Sequence, residues 1–240
     1  MINAFEIEWL KIKRSAVKKV IVVFPILVAI IISLLFFSTG KIIPSIINQW
    51  GLIWASFFIS LIVGMIDRHE KRNTQYRMII SSSYNLRIYE LGRILNDIVL
   101  YLIGTLVMII ILLLVSLIVG TNISFLAIVS SLVGVFITTI WEIPLYSWLS
   151  RLFGIYLSII LTFIGVFIEI VTNDLKGGII WPFTWPALYT VPFINMKING
   201  TLLKIGESTK VSWWTLLTSI VLFGILSWIS MKSFQNQVKK

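Results

Sequence analysis

The chain has 240 residues, of which 58% are hydrophobic and only 12% charged. A water-soluble domain of this size cannot hide so much apolar surface, so these proportions exclude an ordinary soluble protein and indicate an integral membrane protein. The net charge of +10 rests on 20 Lys and Arg residues that gather at the ends of apolar runs. That placement points to membrane topology and anionic lipid headgroups, with no nucleic-acid partner. Cysteine is absent and His69 is the single histidine, so disulfides and thiolate metal centres are excluded, and a metal site would need carboxylates alone.

Residues 1–19 carry Lys11, Lys13, Arg14, Lys18 and Lys19, while Ile2, Phe5, Trp9, Ile12 and Ala16 recur at helical spacing. An apolar stripe opposite a cationic face predicts an amphipathic helix lying in the headgroup plane, the alternative being a charged leader to the first span. The run Val20–Phe37 is too long for a signal-peptide core and lacks a clear cleavage site, so it reads as a retained first span, with Pro25 inside it. A short connection (Lys41, Pro44, Asn48, Gln49) leads to a second span from about Trp50 to Ile66, closed by Asp67. Further spans are expected at about Ile94–Val119, Phe125–Ile143, Leu152–Val171 and Trp213–Met231. Runs of this length suit a hydrocarbon core of roughly 30 Å.

Between the second and third spans lies a basic loop, residues 67–93, holding six Lys and Arg; the whole first side collects fifteen against five (Lys41, Lys176, Lys197, Lys204, Lys210) on the other. The positive-inside tendency then predicts that this loop and both termini are cytoplasmic. No linker or internal repeat interrupts the chain. The expected architecture is all-α: one membrane domain with an interfacial helix (1–19), a six-span bundle (20–231) with a cytoplasmic loop (67–93) and an outer loop (172–212), and a basic tail (232–240).

No phosphate-cradling G-x-x-x-x-G-K-[ST] loop occurs, and one histidine without cysteine leaves no zinc-peptidase or Ser-His arrangement. The sequence therefore reads as a non-enzyme that binds no cofactor itself. Ionisable groups at membrane depth each need a reason. Asp97, four residues after Arg93, is expected to pair with it, and Glu142 with Arg151 is expected to link the ends of a short inner loop. Glu169, near the outer end of the fifth span, either reaches hydrated headgroups or faces a transported molecule. Ser130, Gly134 and Thr138 repeat every four residues and predict a packing face. The outer loop contains Trp181-Pro182-Phe183-Thr184-Trp185-Pro186 and then Pro192, a run that cannot form one continuous helix and whose aromatics favour the membrane interface. Short broken or re-entrant pieces resting on the outer leaflet and capping the bundle are expected there, with an aromatic-anchored surface loop as the alternative.

The opening Glu8-x-x-Lys11-x-Lys13-Arg14, the loop from Lys71 to Leu95, and the outer run Trp181 to Pro186 with Pro192 and Asn199-Gly200 together resemble the ABC-2 type permeases. The closest similarity is to lantibiotic-immunity permeases of the LanE/LanG (MutE/MutG-like) kind. The topology match spans the chain and the motif match about a quarter of it. Ser82-Ser83 stands where such permeases often carry Leu-Pro, and the family's expected basic residue near Leu188-Tyr189 is missing.

The resemblance implies separate ABC ATPase subunits, which would use ATP and Mg, docking on a short coupling helix made of Ser81, Ser82, Ser83, Tyr84, Asn85, Leu86, Arg87, Ile88, Tyr89 and Glu90. A lipid-binding basic loop is the alternative for that stretch. It further implies a second, identical or related, permease chain and export of a lantibiotic-like peptide from a bacterial cytoplasmic membrane. Glu169, Trp181 and Trp185 would line the substrate path, because a carboxylate and indole faces suit a cationic, amphipathic peptide. Rival readings are an ABC-2 permease for another hydrophobic drug, lipid or polymer, and a membrane sensor or interaction protein that transports nothing.

Overall fold

The structure, a computed structural model, describes residues 15–73, 76, 85–121, 123–172, 180–204 and 210–238. These residues are helical apart from turns and one isolated bridge between Met196 and Leu202. In chain order the helices are α1 (Val17–Phe36), α2 (Ile42–Gln49), α3 (Ala55–Asn73), α4 (Leu86–Val119), α5 (Phe125–Thr139), α6 (Glu142–Phe153), α7 (Ile155–Thr172), α8 (Trp185–Ile194) and α9 (Trp213–Val238). All-helical folding is what an apolar solvent demands, because each backbone amide must find its partner within its own segment.

Among the described residues, five helical runs are long and apolar enough to cross a membrane: α1, α2 with α3, α4, α7 and α9. α5 and α6 meet at a 43° bend, and as one broken crossing they complete six. The bundle thus has a basic end, with the base of the 67–93 loop and the last turns of α6 and α9, and a far end with the α1–α2 and α4–α5 turns.

Several spans run longer than the hydropathy pattern predicts. The second begins at Ile42, not Trp50: Pro44 falls in the first turn, where no amide donor is needed, and the chain continues through a π-helical turn at Trp50–Trp54 into α3. α3 passes Asp67 and ends at Asn73. The third starts at Leu86, where Asn85 caps it by accepting the Arg87 amide at 3.0 Å. With 34 residues it is about 50 Å long, well over a bilayer core, so its first turns project at the basic end. The expected inner loop after Glu142 is instead α6, with Pro144 again in a first turn, and its end is set by Gly154 at φ +89°. Residues 232–238, expected as a tail, continue α9.

An aromatic spine holds the first four spans together. Phe24 of α1 stacks on Phe58 of α3 at 5.2 Å, Trp50 meets Phe58 at 5.7 Å, and Tyr101 of α4 stacks on Phe136 of α5 at 5.0 Å. Ring pairs at these separations add to what burial alone supplies.

The outer run is broken as its prolines predict, but it packs between the spans and not on their surface. Residues Pro182–Thr184 form one 3-10 turn, α8 follows, and both are sunk into the bundle. Glycines of three spans make the socket. A Cβ on Gly134 of α5 would overlap the Tyr189 ring, one on Gly165 of α7 would lie 2.6 Å from Phe183, and one on Gly51 would touch the Ala187 backbone at 3.4 Å. Gly134 lies nine residues into α5, about 14 Å from its far-end start. Phe183 goes as deep as the bend, where it meets Trp141 edge-on at 5.2 Å. The segment is re-entrant, and its aromatics fill a notch that only glycine leaves. Asn195, in the left-handed region at φ 52°, ends α8, and Asn48 of α2 ties the exit by donating to the Lys197 carbonyl at 3.2 Å.

The packing face predicted on α5 holds for Gly134 and Thr138, whereas Ser130 is half-buried and Ser131 takes the interior position. Gly134→Ala is expected to destabilise the chain by about 1–3 kcal/mol through overpacking against Tyr189. Thermal unfolding in detergent checks this, with Gly134→Ala/Tyr189→Leu recovering part of the loss.

Candidate functional site

Four helices converge at the basic end on a buried ionic knot. Glu90 and Arg93 come from α4, Asp67 from α3, Arg151 from α6, and all four are at most 4% exposed. Arg151 Nη1 sits 2.7 Å from Glu90 Oε1, Arg93 Nη1 is 3.3 Å from Glu90 Oε2, and Arg93 Nη2 is 3.2 Å from Asp67 Oδ1. Ser147 and Ser230 donate their hydroxyls to Glu90 at 3.1 and 2.7 Å, and Arg151 Nη2 donates to the Ser230 carbonyl at 3.1 Å. Two carboxylates face two guanidiniums, so the knot is neutral, and charge-assisted bonds offset much of the desolvation that buried ions incur.

Rings close the knot on its outer side. Phe234 of α9 lies under the Arg151 guanidinium at 4.8 Å, and Tyr76 lies by Arg93 at 5.8 Å. The Tyr76 hydroxyl donates to Asp67. Burial pushes the Tyr76 phenol well above its usual range; Arg93 opposes this and Asp67 reinforces it, so the group remains a donor. Farther out, Arg87 Nε donates to Gln235 Oε1 at 2.6 Å and Trp148 Nε1 to Ser233 Oγ at 3.0 Å, fastening α4 and α6 to α9.

A second polar region lies deeper, at the α5–α6 bend. Ser56 of α3 donates to Glu142 Oε1 at 2.8 Å, and Thr162 of α7 donates to the Tyr146 hydroxyl at 2.8 Å. Glu169 shares the buried face of α7 with Ser158, Thr162, Gly165 and Val166, and among the described residues neither of its oxygens has a hydrogen-bond partner. Trp181 Nε1 donates to the Gly165 carbonyl at 2.9 Å and stacks on Phe183 at 5.8 Å. Trp185 meets Trp214 of α9 at 5.9 Å.

The expected pairings are redistributed. Arg93 turns back one turn to Glu90 on its own helix and across to Asp67 of α3, where Asp97 was expected. Arg151 reaches Glu90 and Glu142 reaches Ser56, because α6 is a rigid helix that holds its two ends apart. Glu169 is fully buried, not hydrated at the outer boundary. Of the expected coupling residues, Ser81, Ser82, Ser83 and Tyr84 lie outside the described residues. Asn85, Arg87 and Ile88 are exposed, Leu86 is half-buried, and Tyr89 and Glu90 are buried. Trp181 bonds the Gly165 carbonyl, one turn before Glu169 on α7, whereas Trp185 faces α9. Sequence reasoning missed Ser56, Tyr146 and Thr162. The one available signal was that Tyr146 follows Glu142 by four residues on one helix face.

Among the described residues, no three His, Asp or Glu side chains converge as metal ligands. Comparison of the chain with protein families, curated proteins and solved structures finds no match.

Glu90→Gln is expected to destabilise the protein by about 3–5 kcal/mol, since it leaves two buried guanidiniums short of their counter-charge. Arg87→Gln, at an exposed site, should lie within about 1 kcal/mol of the parent. Thermal unfolding of the purified chain in detergent measures both.

Proposed function

We propose that this chain is the membrane-spanning permease subunit of an ATP-driven exporter, working in a bacterial cytoplasmic membrane with separate ATPase subunits and a second permease chain. Its substrate on this reading is a lantibiotic-like peptide, expelled from the outer leaflet for self-protection. The observation that carries the reading is the ionic knot. It ties both borders of the 67–93 loop, through Asp67 and Glu90, to α6 and α9, so a soluble motor pressing on that loop would act on two further spans at once.

The exposed Arg87 and Ile88 beside Asn85 supply a polar and an apolar anchor of the kind that fixes a docking register. At the far end, a peptide in the outer leaflet would meet the exposed Trp213 and Trp214, and behind them Trp185. Glu169 has no outer surface in this conformation, so on this reading it acts from inside the bundle and not by touching the peptide.

Absence of cysteine makes the topology directly testable. Lys71→Cys should react with an impermeant maleimide only in inside-out vesicles and Lys204→Cys only in right-side-out cells. Labelling of Lys71→Cys from outside the cell overturns the orientation. Ile88→Asp with Arg87→Glu should leave the chain folded yet abolish co-purification of an ATPase and peptide resistance together. Protection retained by the reconstituted chain without any nucleotide-hydrolysing partner refutes the exporter reading.

A further inference from the structure

Two carboxylates are buried far from the ionic knot, and neither has a cation assigned to it. Glu142 begins α6 just past the bend and Glu169 lies on α7; both are 0% exposed. Glu142 takes one hydroxyl, from Ser56 at 2.8 Å, and is in contact with the Tyr146 phenol. The two oxygens of Glu169 and Oε2 of Glu142 meet no donor among the described residues, and the neighbours Val166 and Trp141 bring α7 and the start of α6 together in one buried cluster. Among the described residues, the groups that face this pair are uncharged. They are Ser56 from α3, Tyr101 from α4 with its hydroxyl 2.7 Å from Thr139, Tyr146 from α6, and Thr162 from α7. Arg93 and Arg151, the buried guanidiniums, are held by Glu90 and Asp67 at the basic end.

Like charges in a low-dielectric interior, with no counter-charge among the described residues and with unfilled lone pairs, are strongly disfavoured, and a native fold keeps such groups where something occupies them. We propose that Glu142 and Glu169 together bind one small monovalent cation, a proton or an alkali ion, beneath the tip of the re-entrant segment. The donors are all oxygen, a hard set that suits such ions. Two carboxylates, one hydroxyl and one phenol fall short of the six to eight oxygens that calcium takes.

The site sits where occupancy would matter. Trp141, next to Glu142, and Val166, one turn before Glu169, pack in one buried cluster with Phe183. A cation between the carboxylates draws α6 and α7 together under Phe183, and its loss leaves two negative charges pushing the same helices apart. Occupancy therefore sets how firmly the re-entrant tip is seated. This holds whether or not the chain is an exporter subunit.

Dicyclohexylcarbodiimide, which modifies protonated carboxyl groups in apolar surroundings, tests the site on the intact chain in lipid nanodiscs, with modified peptides mapped by mass spectrometry. Modification at Glu142 or Glu169 in choline chloride, lost in sodium chloride at the same pH and ionic strength, identifies an alkali-ion site. Modification at the same residue in both salts identifies a bound proton. No modification at either residue in either salt overturns the proposal. Glu169→Gln and Glu142→Gln serve as controls in which the mapped adduct disappears, and the assignment stands on the parent chain if either variant fails to fold.

Discussion

The carboxylate of Glu90 is the point on which the bundle turns. It accepts from two guanidiniums and two hydroxyls contributed by α4, α6 and α9, and through Arg93 it also holds Asp67 of α3. A bilayer gives little drive for helices to associate, since lipid tails are as apolar as leucine, so polar pairing and close packing must select neighbours. An apolar replacement of similar volume would fill the space without choosing which helix ends meet. The knot makes that choice, and Arg serves it better than Lys because its planar fork reaches two carboxylates at once.

Packing does at the far end what charge does at the basic end. The re-entrant segment brings bulky rings (Phe183, Tyr189) against spans that present no side chain at Gly165 and Gly134. A broken segment at this depth leaves backbone groups that lipid cannot satisfy, and it is tolerated only where protein encloses it. Enclosure is visible in Trp185, Ala187, Tyr189 and Val191, all buried, and in the Trp181 indole bound to the Gly165 carbonyl. The bend between α5 and α6 belongs to the same device, since Trp141 leaves the helix path where Phe183 arrives.

The crossings were legible in the sequence because hydrophobic length is a one-dimensional property: α1, α7 and the start of α9 lie within three residues of expectation. Helix ends were less so: the connections that hold Pro44 and Pro144 prove helical, since a first turn accepts proline. The polar partners were hardest. Helical spacing offers Asp97 to Arg93 and span ends offer Arg151 to Glu142, but in the fold Arg93 takes Glu90, three residues back on its own helix, and Asp67 of α3, while Arg151 reaches across to Glu90, partners set by which helices happen to be adjacent. The broken, re-entrant character of the Trp-Pro run was legible in its prolines and tryptophans, while the depth to which it sinks is decided by glycines in other spans.

α6 carries both polar regions. Arg151 near its last turn belongs to the knot and Glu142 in its first turn belongs to the carboxylate pair, nine residues or about 14 Å apart along one rigid helix. Its two ends are the places where the backbone departs from regular helix, the 43° bend before Glu142 and Gly154 at φ +89° after Phe153. Between those two breaks the helix is continuous, so one short element carries Arg151 of the knot at one end and Glu142 at the other, beside Trp141 and the seat of Phe183. The Ser56 and Tyr146 hydroxyls hold the far end of that helix in register with α3 and α7. The geometry thus joins the two ends of the bundle through one short helix, which the hydropathy profile had reduced to a loop.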